Sequence, residues 1–427
     1  MRVALLNQYY WPHHAATSQL LTELGESLAA RGHAVTAVTA SVDGPDGAPA
    51  PAREEHGGVA IRRVRATRRG KARLIDRALD YGTFYAGAVA ELLSLRPVPD
   101  VVLALTTPPL IAVAAQVAGR LRGFPTVSLV QDVYPDIAVE LGVLARGGLP
   151  ARAWRVVAGA SLRASERVVV LSEPMRRRIA GFGVDPARMD VIANWALAEL
   201  DETSPGDRMR LRYGFGDRFV VMYSGNMGAG HAFDTLLAAA DRLRDRDDVV
   251  FAFVGDGVRR AEIARDVAER GLRNVVLFDY AAREDLADSL GAADLHVVTM
   301  RDGLDGLLMP SKLYGILAAA RPGLFIGPAT SEVAAALAEG ACGVSHDNGD
   351  VAGVVATIER LAALPDRGRS LGEAGRAHLE RRYARELAVD AYERVLADVA
   401  QVRLADAPEH PDSGAARRAG KVSTRHE

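Results

Sequence analysis

Lysine is rare in this chain, and one lysine stands where an anion could be held. Of the 52 basic residues only three are lysines, Lys71, Lys312 and Lys421. Lys312 follows Pro310 and Ser311, a pair typical of a helix start. The first turn of a helix has unpaired N–H groups and a positive dipole end, and a lysine there adds a charge suited to phosphate. The motif therefore predicts an anion site, and a solvated lysine is the competing interpretation.

Two glycine-rich loops follow apolar segments and could bring backbone N–H groups close to the same anion. The first loop contains Gly225, Asn226, Gly228 and His231. The second begins at Gly255, directly after the apolar segment 249–254. Because glycine lacks a Cβ atom, its backbone can approach a ligand closely. We expect both loops in the site of Lys312, although ordinary tight turns have a similar composition.

Two further side chains stand at the ends of apolar segments in this half of the chain. Tyr280 follows the segment 275–278 and could form a lip over a planar group, or could simply pack against its neighbours. Asp305, like Asp302, precedes the Lys312 motif and could accept hydrogen bonds from hydroxyl groups. Loop aspartates also shape turns, so a structural role for Asp305 is the alternative.

Polar residues also end an apolar segment in the first half of the chain. Gln131, Asp132 and Tyr134 directly follow the segment 126–130. A carboxylate or amide at the end of an apolar strand must find partners, which favours a binding site over bare core. The loop 9–18 is aromatic and then small, and its His13 and Thr17 could contact a ligand at the first helix. An aromatic lid over the sheet is the other interpretation of this loop.

Several reaction classes lack their motifs here. The chain has no His-Glu-x-x-His and no Cys-x-x-Cys, and no Gly-x-Gly-x-x-Gly follows its first strand. These absences argue against a zinc site and a nicotinamide dehydrogenase. Cys342 is the only cysteine, so an intrachain disulfide is excluded and a buried position is expected. We expect neither a metal nor another cofactor.

Short apolar segments alternate with helical patterns over most of the 427 residues, which indicates an α/β fold with parallel sheets. The alternation predicts one doubly wound domain over residues 1–196, a linker over 197–217 and a second doubly wound domain over 218–375. Residues 376–404 are expected to form helices that pack back toward the first domain, and 405–427 a disordered tail. Ligands of such sheets bind at the carboxyl ends of the strands, so two facing domains would form a cleft.

The start of the chain lacks the long apolar segment of a signal peptide, which favours a cytoplasmic protein. Residues 101–119 carry no charge, but two prolines at 108 and 109 predict a strand, a turn and a helix instead of a membrane span. Basic clusters at 62–65, 68–73 and 176–178 contain few aromatic residues, so nucleic-acid binding is not expected. They are either a solvated surface or a contact with anionic lipid headgroups.

Four segments together resemble glycosyltransferase family 4, whose members are retaining sugar-nucleotide enzymes of the GT-B architecture, with two Rossmann-like domains facing across a cleft. They are residues 31–36 (RGHAVT), 130–136 (VQDVYPD), 223–228 (YSGNMG) and 310–319 (PSKLYGILAA). The last three are similar to a branch that makes bacterial surface polysaccharides, including colanic-acid and O-antigen transferases, some of which transfer N-acetylfucosamine. The resemblance implies an acceptor-binding first domain and a donor-binding second domain.

The chain departs from the family pattern at the positions that hold the donor. Many members have Glu-x7-Glu, whose second glutamate holds the ribose; here Gly315 stands at that position and Leu307 at the first. Glu332 or backbone is the expected substitute. Gly225 and Asn226, followed by His231, stand where the family often has Gly-Arg and a lysine on the diphosphate. Gln131 and Asp132 stand in place of the usual histidine. Lys312 therefore becomes the expected phosphate ligand.

The resemblance implies transfer of a sugar from a nucleotide diphosphate, with UDP expected, to a lipid-linked or saccharide acceptor, with retention and without a metal. Lys312 and Asp132 are the candidate catalytic residues. The expected donor-binding residues are Gly225, Asn226, Gly228, His231, Gly255, Tyr280, Asp305, Ser311, Lys312 and Glu332. The expected acceptor-binding residues are His13, Thr17, Gln131, Asp132 and Tyr134. A nucleotide-sugar 2-epimerase of related fold and a non-catalytic binding protein are the alternatives.

Overall fold

The chain folds into two α/β units, each built on a mainly parallel sheet. A computed structural model describes residues 1–13, 15–42, 49–67, 74–197, 200 and 203–406. The first sheet has eight strands in the order β3-β4-β2-β1-β5-β6-β7-β8. Its strands are β1 (Arg2–Leu6), β2 (Ala34–Ala40), β3 (Arg53–His56), β4 (Val59–Val64), β5 (Val101–Ala104), β6 (Thr126–Val130), β7 (Arg167–Val170) and β8 (Met189–Val191). Six helices accompany this sheet: α1 (Ala16–Ala30), α2 (Leu74–Ser94), α3 (Ile111–Arg122), α4 (Asp136–Glu140), α5 (Leu149–Ala164) and α6 (Glu173–Ala180).

The second sheet has six parallel strands in the order β11-β10-β9-β12-β13-β14. Its strands are β9 (Phe219–Ser224), β10 (Val249–Val254), β11 (Val275–Phe278), β12 (Leu295–Thr299), β13 (Gly323–Ile326) and β14 (Gly343–His346). The helices that precede, cover and follow it are α7 (Asp207–Arg212), α8 (Asp234–Arg242), α9 (Arg260–Arg270), α10 (Leu286–Gly291), α11 (Lys312–Ala318), α12 (Glu332–Glu339), α13 (Val351–Ala363), α14 (Arg369–Arg382) and α15 (Arg385–Asp406).

The central strands are buried along their length and mostly apolar because helices cover both faces of each sheet. All residues of β5, β6 and β12 are buried, and β10 is apolar and buried throughout. The helices bury one face only: α1 turns Leu20, Leu24 and Leu28 to the core. This confirms the predicted α/β fold with two parallel sheets, since every predicted strand is present.

One pair of strands was not predicted. β3 and β4 form an antiparallel hairpin at the edge of the first sheet, joined by Gly57 and Gly58 in the left-handed region. β3 is short and charged, so it lacks the apolar alternation that reveals a strand. A charged strand at an edge also discourages pairing with other chains.

The basic cluster 62–65 is part of this hairpin and not a free charged surface. Arg62 donates to Glu91 at 2.9 Å, while the fully buried side chain of Arg63 pairs with Glu54. In the cluster 176–178, Arg176 pairs with Glu173 and Arg178 with Asp305. Arg63 is therefore not part of a solvated or lipid-binding surface, whereas Arg62, Arg176 and Arg178 are ion-paired but partly exposed. The third cluster, 68–73, lies outside the described residues.

The two C-terminal helices divide between the two units. α14 packs on α11 and β14 of the second unit, whereas α15 packs on α1 and β5 of the first. Arg31 donates to Glu393 at 2.7 Å, and Trp195 lies edge-on to Tyr392. The return to the first unit therefore begins at Arg385 and not at residue 376. Residues 405 and 406 end α15, and the rest of the predicted tail lies outside the described residues.

The structure also decides the predictions for residues 101–119 and for Cys342. Residues 101–119 form β5, a turn and most of α3, and no helix in the described part of the chain is long and apolar enough to span a bilayer. Cys342 is fully buried, as expected.

Candidate active site

Lys312 begins α11 and reaches back to the first glycine-rich loop. Its Nζ donates a hydrogen bond to the backbone oxygen of Asn226 at 3.2 Å. The ammonium also lies 5.0 Å from the centre of the Tyr223 ring, within the range of a cation–π contact. Burial lowers the pKa of Lys312 to about 8, because a charged amine loses solvation there. No carboxylate is paired with this ammonium in the described structure, so it is free to meet an anion.

His231 lies directly beside this ammonium. Its Nδ1 donates to the backbone oxygen of Thr299 at 2.7 Å, and its Nε2 is 3.5 Å from Lys312 Nζ. Because a carbonyl oxygen only accepts, the ring proton sits on Nδ1 and the Nε2 lone pair faces the ammonium. Burial and the charge of Lys312 lower the pKa of His231 to about 4. His231 is therefore neutral near pH 7 and does not supply the positive charge of the family's lysine.

The two glycine-rich loops stack against each other beneath Lys312. Gly225 has φ +121° and Gly255 has φ +137°, values that other residues rarely adopt. A Cβ atom on Gly255 would lie 2.2 Å from the Gly225 oxygen. A Cβ atom on Gly225 would lie 2.8 Å from Lys312 Cε. Glycine at both positions thus lets the loops and the lysine stem pack in layers.

A cavity of about 230 Å³ lies between the two units and is walled by Lys312. From the first unit it is lined by Ala16 and Leu20 of α1 and by the connecting segment 195–197. From the second unit, its lining includes Gly225, Tyr280, Ser311, Lys312 and Gly315. The position of the cavity matches the carboxyl ends of both sheets, where ligands of such domains bind.

Most of the predicted donor-binding residues come together around this cavity. Gly225, Tyr280, Ser311 and Lys312 line it, and Asn226 and His231 contact Lys312. Gly255 supports Gly225, and the Gly228 oxygen accepts from the His231 N–H at 3.2 Å. Ser311 differs from the prediction in one respect. It precedes α11, but its backbone is helical and its side chain makes no capping hydrogen bond.

Two predicted donor residues are placed elsewhere. The Asp305 carboxylate accepts from Thr330 at 3.3 Å and lies 3.6 Å from Arg178 of α6, so it joins the two units. Glu332 begins α12 and does not line the cavity. Burial raises its pKa, and charged groups of α6 and α14 surround it. Glu332 is therefore not among the residues that line this cavity, and Asp305 is engaged between the units.

Asp132 lies where the first unit meets the Lys312 motif. An isolated antiparallel bridge joins Asp132 to Leu308, and the Val133 N–H donates to Leu307 at 2.8 Å. Burial raises the pKa of the Asp132 carboxyl to about 6. Its carboxylate has no hydrogen-bond partner among the described residues, a costly arrangement unless a ligand supplies one. A second cavity of about 50 Å³, lined largely by apolar side chains, borders Asp132 and Tyr134.

The other predicted acceptor residues flank the same edge of the first sheet. The Gln131 side-chain oxygen faces Asn194 Nδ2 at 3.5 Å, and Tyr134 stacks on Trp154. His13 stacks on Tyr9 with ring centres 4.2 Å apart, and its Nδ1 accepts from the Ala15 N–H. Thr17 lies in the first turn of α1, next to cavity-lining Ala16. Thr17 therefore lies beside the main cavity, while His13 and Tyr134 are each stacked on an aromatic neighbour.

Three residues of this site were not predicted. Tyr223 ends β9 next to Ser224, Thr299 ends β12, and Arg259 precedes α9. Arg259 donates to the His231 oxygen at 2.8 Å and so supports that loop. Tyr223 and Thr299 could have been found, because the carboxyl ends of neighbouring strands converge on one site. Arg259 does not stand at the end of a strand, so the sequence does not point to it, and only the fold brings it to His231.

The described residues contain no group of three His, Cys, Asp or Glu side chains arranged to hold a metal ion. Lys312 is a cation of this site without a carboxylate partner among the described residues, whereas Arg259 is paired with Glu262.

Comparison with known families agrees with this two-unit arrangement. The model of a glycosyl transferase 4-like domain matches residues 17–195, and that of glycosyl transferases group 1 matches residues 218–363. The chain belongs to the GT-B glycosyltransferases. Its glycosyltransferase domains meet at the cavity walled by Lys312 and at the bridge between Asp132 and Leu308.

The similarity to named proteins extends over most of the length of this glycosyltransferase. It is 27% identical over 331 residues to the putative colanic acid biosynthesis glycosyl transferase WcaI of Escherichia coli, covering 74% of this chain and 81% of WcaI. The sucrose-phosphate synthase of Thermosynechococcus elongatus has the same fold, with TM-score 0.75, 18% identity and coverage of 94% and 100%. HepE of Anabaena, solved with UDP and glucose, has TM-score 0.71, 14% identity and coverage of 93% and 99%.

Proposed function

We propose that this glycosyltransferase moves a sugar from a UDP-linked donor to a hydroxyl of a lipid-linked or saccharide acceptor during synthesis of a cell-surface polysaccharide. The observation that carries this proposal is the unpaired ammonium of Lys312 at the wall of the interdomain cavity. UDP is favoured because HepE, which has the same fold, was solved with UDP and glucose. The pathway is favoured because the relative WcaI is named for colanic acid biosynthesis.

Departure of the diphosphate is the difficult step of such a transfer. Negative charge grows on the leaving oxygen, so a donor or cation placed there lowers the barrier most, by about 3 kcal/mol for one group. Lys312 is the side chain in position for this role. His231 holds a lone pair toward the ammonium, while Tyr223 presents its ring face. With these contacts the lysine is directed before the donor binds.

Asp132 is proposed to orient the acceptor hydroxyl. Its carboxylate has no hydrogen-bond partner in the described part of the chain, and its backbone is bridged to Leu308 of the donor-side loop. An acceptor held there approaches the donor sugar from the side of the first unit. We propose retention through attack on the same face that the diphosphate leaves, which requires no enzyme nucleophile. The neutralisation by Lys312 is proposed to replace a metal.

The donor would be met in the cytoplasm and a lipid-linked acceptor at the inner face of the plasma membrane. Peripheral contact with an anionic membrane is therefore part of the proposed function. It would place the acceptor-binding unit at the bilayer while the donor cavity stays in water.

The test is an assay with separate readouts for donor cleavage and transfer. The purified full chain is incubated with individual UDP-sugars, with and without a polyprenyl-diphosphate saccharide, and UDP release and product mass are followed. We expect UDP release that depends on the acceptor and a product heavier by one sugar. The anomeric configuration of that product, read by NMR, tests retention.

Other results would contradict the proposal. An epimerised sugar formed without acceptor would indicate a 2-epimerase. Tight UDP binding with neither product would indicate a binding protein.

A further inference from the structure

The outer faces of α3 and α5 expose an unusual concentration of large apolar side chains. Of the thirteen such side chains that are exposed in the described chain, six lie between residues 117 and 157. They are Val117, Leu121, Val143, Leu149, Val156 and Val157. Leu149 is 80% exposed, and Val156 and Leu121 are each 69% exposed. Single exposed apolar residues are ordinary, but a group confined to adjoining elements marks an interaction surface.

These side chains belong to one continuous surface because the two helices lie side by side. Gln116 of α3 donates to the Ser161 oxygen of α5 at 2.7 Å, and Ser161 Oγ donates back to Gln116 Oε1 at 3.2 Å. In α5 the exposed positions recur at helical spacing, opposite the buried residues Ala158 and Ser161. The outward stripes of both helices therefore face the same side of the first unit.

The charge of this surface is of one sign. Neither α3, α5 nor the segment 141–148 contains an aspartate or glutamate. Arg146 pairs with Glu140, and Arg155 pairs with Asp136, both of α4. The exposed residues Arg120 and Arg152 have no ion-pair partner among the described residues. Exposed valine and leucine beside unpaired arginine, without acidic residues, complement an anionic lipid surface.

The second cavity lies between the same two helices. It is lined by Leu110 at the start of α3, by Ala158 and Leu162 of α5, and by Asp132. The candidate acceptor carboxylate thus lines an apolar space on the inner side of the two helices whose outer sides form this surface.

We propose that the surface formed by α3, α5 and residues 143–149 is the face by which this protein lies on an anionic bilayer. The proposal rests on the membrane contact included in the proposed function and assigns its residues. It differs from the expectation from sequence, which assigned this contact to the basic clusters; in those at 62–65 and 176–178, most arginines are ion-paired. Arg120 and Arg152 supply the attraction to headgroups, and Leu121, Leu149 and Val156 insert among them.

The test is co-sedimentation of the full chain with vesicles that contain neither acceptor nor UDP-sugar. Vesicles of phosphatidylcholine alone are compared with vesicles of phosphatidylcholine and phosphatidylglycerol. We expect wild type to bind the anionic vesicles selectively. The double variant Leu149→Glu/Val156→Glu and the double variant Arg120→Glu/Arg152→Glu should each lower the partition coefficient by about tenfold or more.

Matched controls come from the second unit. Leu211→Glu changes a leucine that is 85% exposed on α7, and Arg242→Glu changes an exposed, unpaired arginine at the end of α8. Both should bind vesicles as wild type does. Unchanged melting temperatures would show that every variant is folded, which is expected for exposed positions.

Two results would overturn the inference: a wild type that fails to bind anionic vesicles, or double variants that bind as wild type does. Failure of the proposed function is distinguishable. If vesicle binding follows the expected pattern while no sugar is transferred, only the proposed function fails. If transfer to a soluble saccharide acceptor is seen without vesicle binding, only the inference fails.

Discussion

At the scale of single residues, Lys312 is the cation of the site and is held in an environment that weakens its charge. Burial lowers its pKa to about 8, and no carboxylate compensates. A bound diphosphate would reverse this effect, because an opposite charge favours the protonated amine. The protonated form of Lys312 is thus disfavoured in the empty site and favoured when the diphosphate is bound.

Replacing Lys312 by alanine should lower turnover by about two orders of magnitude, because the charge that meets the leaving diphosphate is lost. The melting temperature should stay close to that of wild type. In wild type, kcat/KM for the donor should fall as the pH rises above about 8, since Lys312 then loses its proton. Steady-state kinetics across pH, with melting curves at each end, measure both effects.

Lys312→Arg is the matched control for charge. Arginine stays protonated throughout this range. The activity of the Lys312→Arg variant should therefore be lower than that of wild type but should not decline between pH 8 and about pH 10. Near-normal turnover in Lys312→Ala, or the same alkaline decline in Lys312→Arg, would remove Lys312 from the proposed role.

Asp132 should control the acid side of the profile. The pKa of its carboxyl is raised to about 6, so below that pH it is protonated and accepts a hydroxyl proton poorly. We expect kcat/KM for the acceptor to fall below about pH 6 in wild type. Asp132→Asn should lower kcat/KM at pH 7 by about tenfold or more and abolish this acid limb. Unchanged acceptor kinetics in Asp132→Asn would mean that the carboxylate only supports the bridge to Leu308.

At the scale of elements, the loops after β9 and β10 form the floor under the lysine stem. Their contact depends on Gly255, whose backbone lies against the Gly225 oxygen. The strand order places these two loops side by side, since β9 and β10 are paired along their whole length. Any residue larger than glycine must displace one loop from the other.

Gly255→Ala should weaken UDP binding by about tenfold or more and cost about 1–3 kcal/mol of stability, because its φ of +137° is unfavourable for alanine. Calorimetric titration with UDP and chemical unfolding measure the two effects. Gly271→Ala is the control, since Gly271 ends α9 at φ +63° with open space around it. It should cost about 1 kcal/mol and leave UDP affinity unchanged. Equal UDP affinities in both variants would argue against a donor site at this floor.

At the scale of the whole molecule, α15 ties the end of the chain to its beginning. Tyr392 and Leu396 are buried in the core that also contains Leu24 and Leu28 of α1. The first unit is therefore complete only when the last helix has returned to it. The connection between the units is thus made twice, by the linker and by α15.

Leu396→Ala should destabilise the first unit by about 2–5 kcal/mol, because Leu396 is fully buried. Leu387→Ala, on the same helix but 48% exposed, should change stability by less than about 0.5 kcal/mol. Tryptophan fluorescence during chemical unfolding reports this directly, since Trp11, Trp154 and Trp195 are all the tryptophans and all precede the second sheet. If Leu396→Ala did not shift the midpoint of the fluorescence transition, α15 would not stabilise the first unit as stated.

The sequence by itself determined the alternation of strands and helices, the two sheets and the loops that carry the site. These features are local: a buried strand is a short apolar run, and a glycine loop or a Lys312 motif is contiguous in the chain. The edge hairpin of β3 and β4 was not predicted, since the charged residues of β3 do not form a short apolar run. The position of ligand sites at strand ends follows from the same local order.

The tertiary structure alone decided what each candidate residue contacts. It placed Asp305 against Arg178, kept Glu332 away from the cavity and made His231 neutral beside Lys312. It also buried Arg63 in an ion pair and left Arg120 and Arg152 exposed. The physical reason is that partners, burial and pKa depend on residues distant in the chain, which only packing brings together.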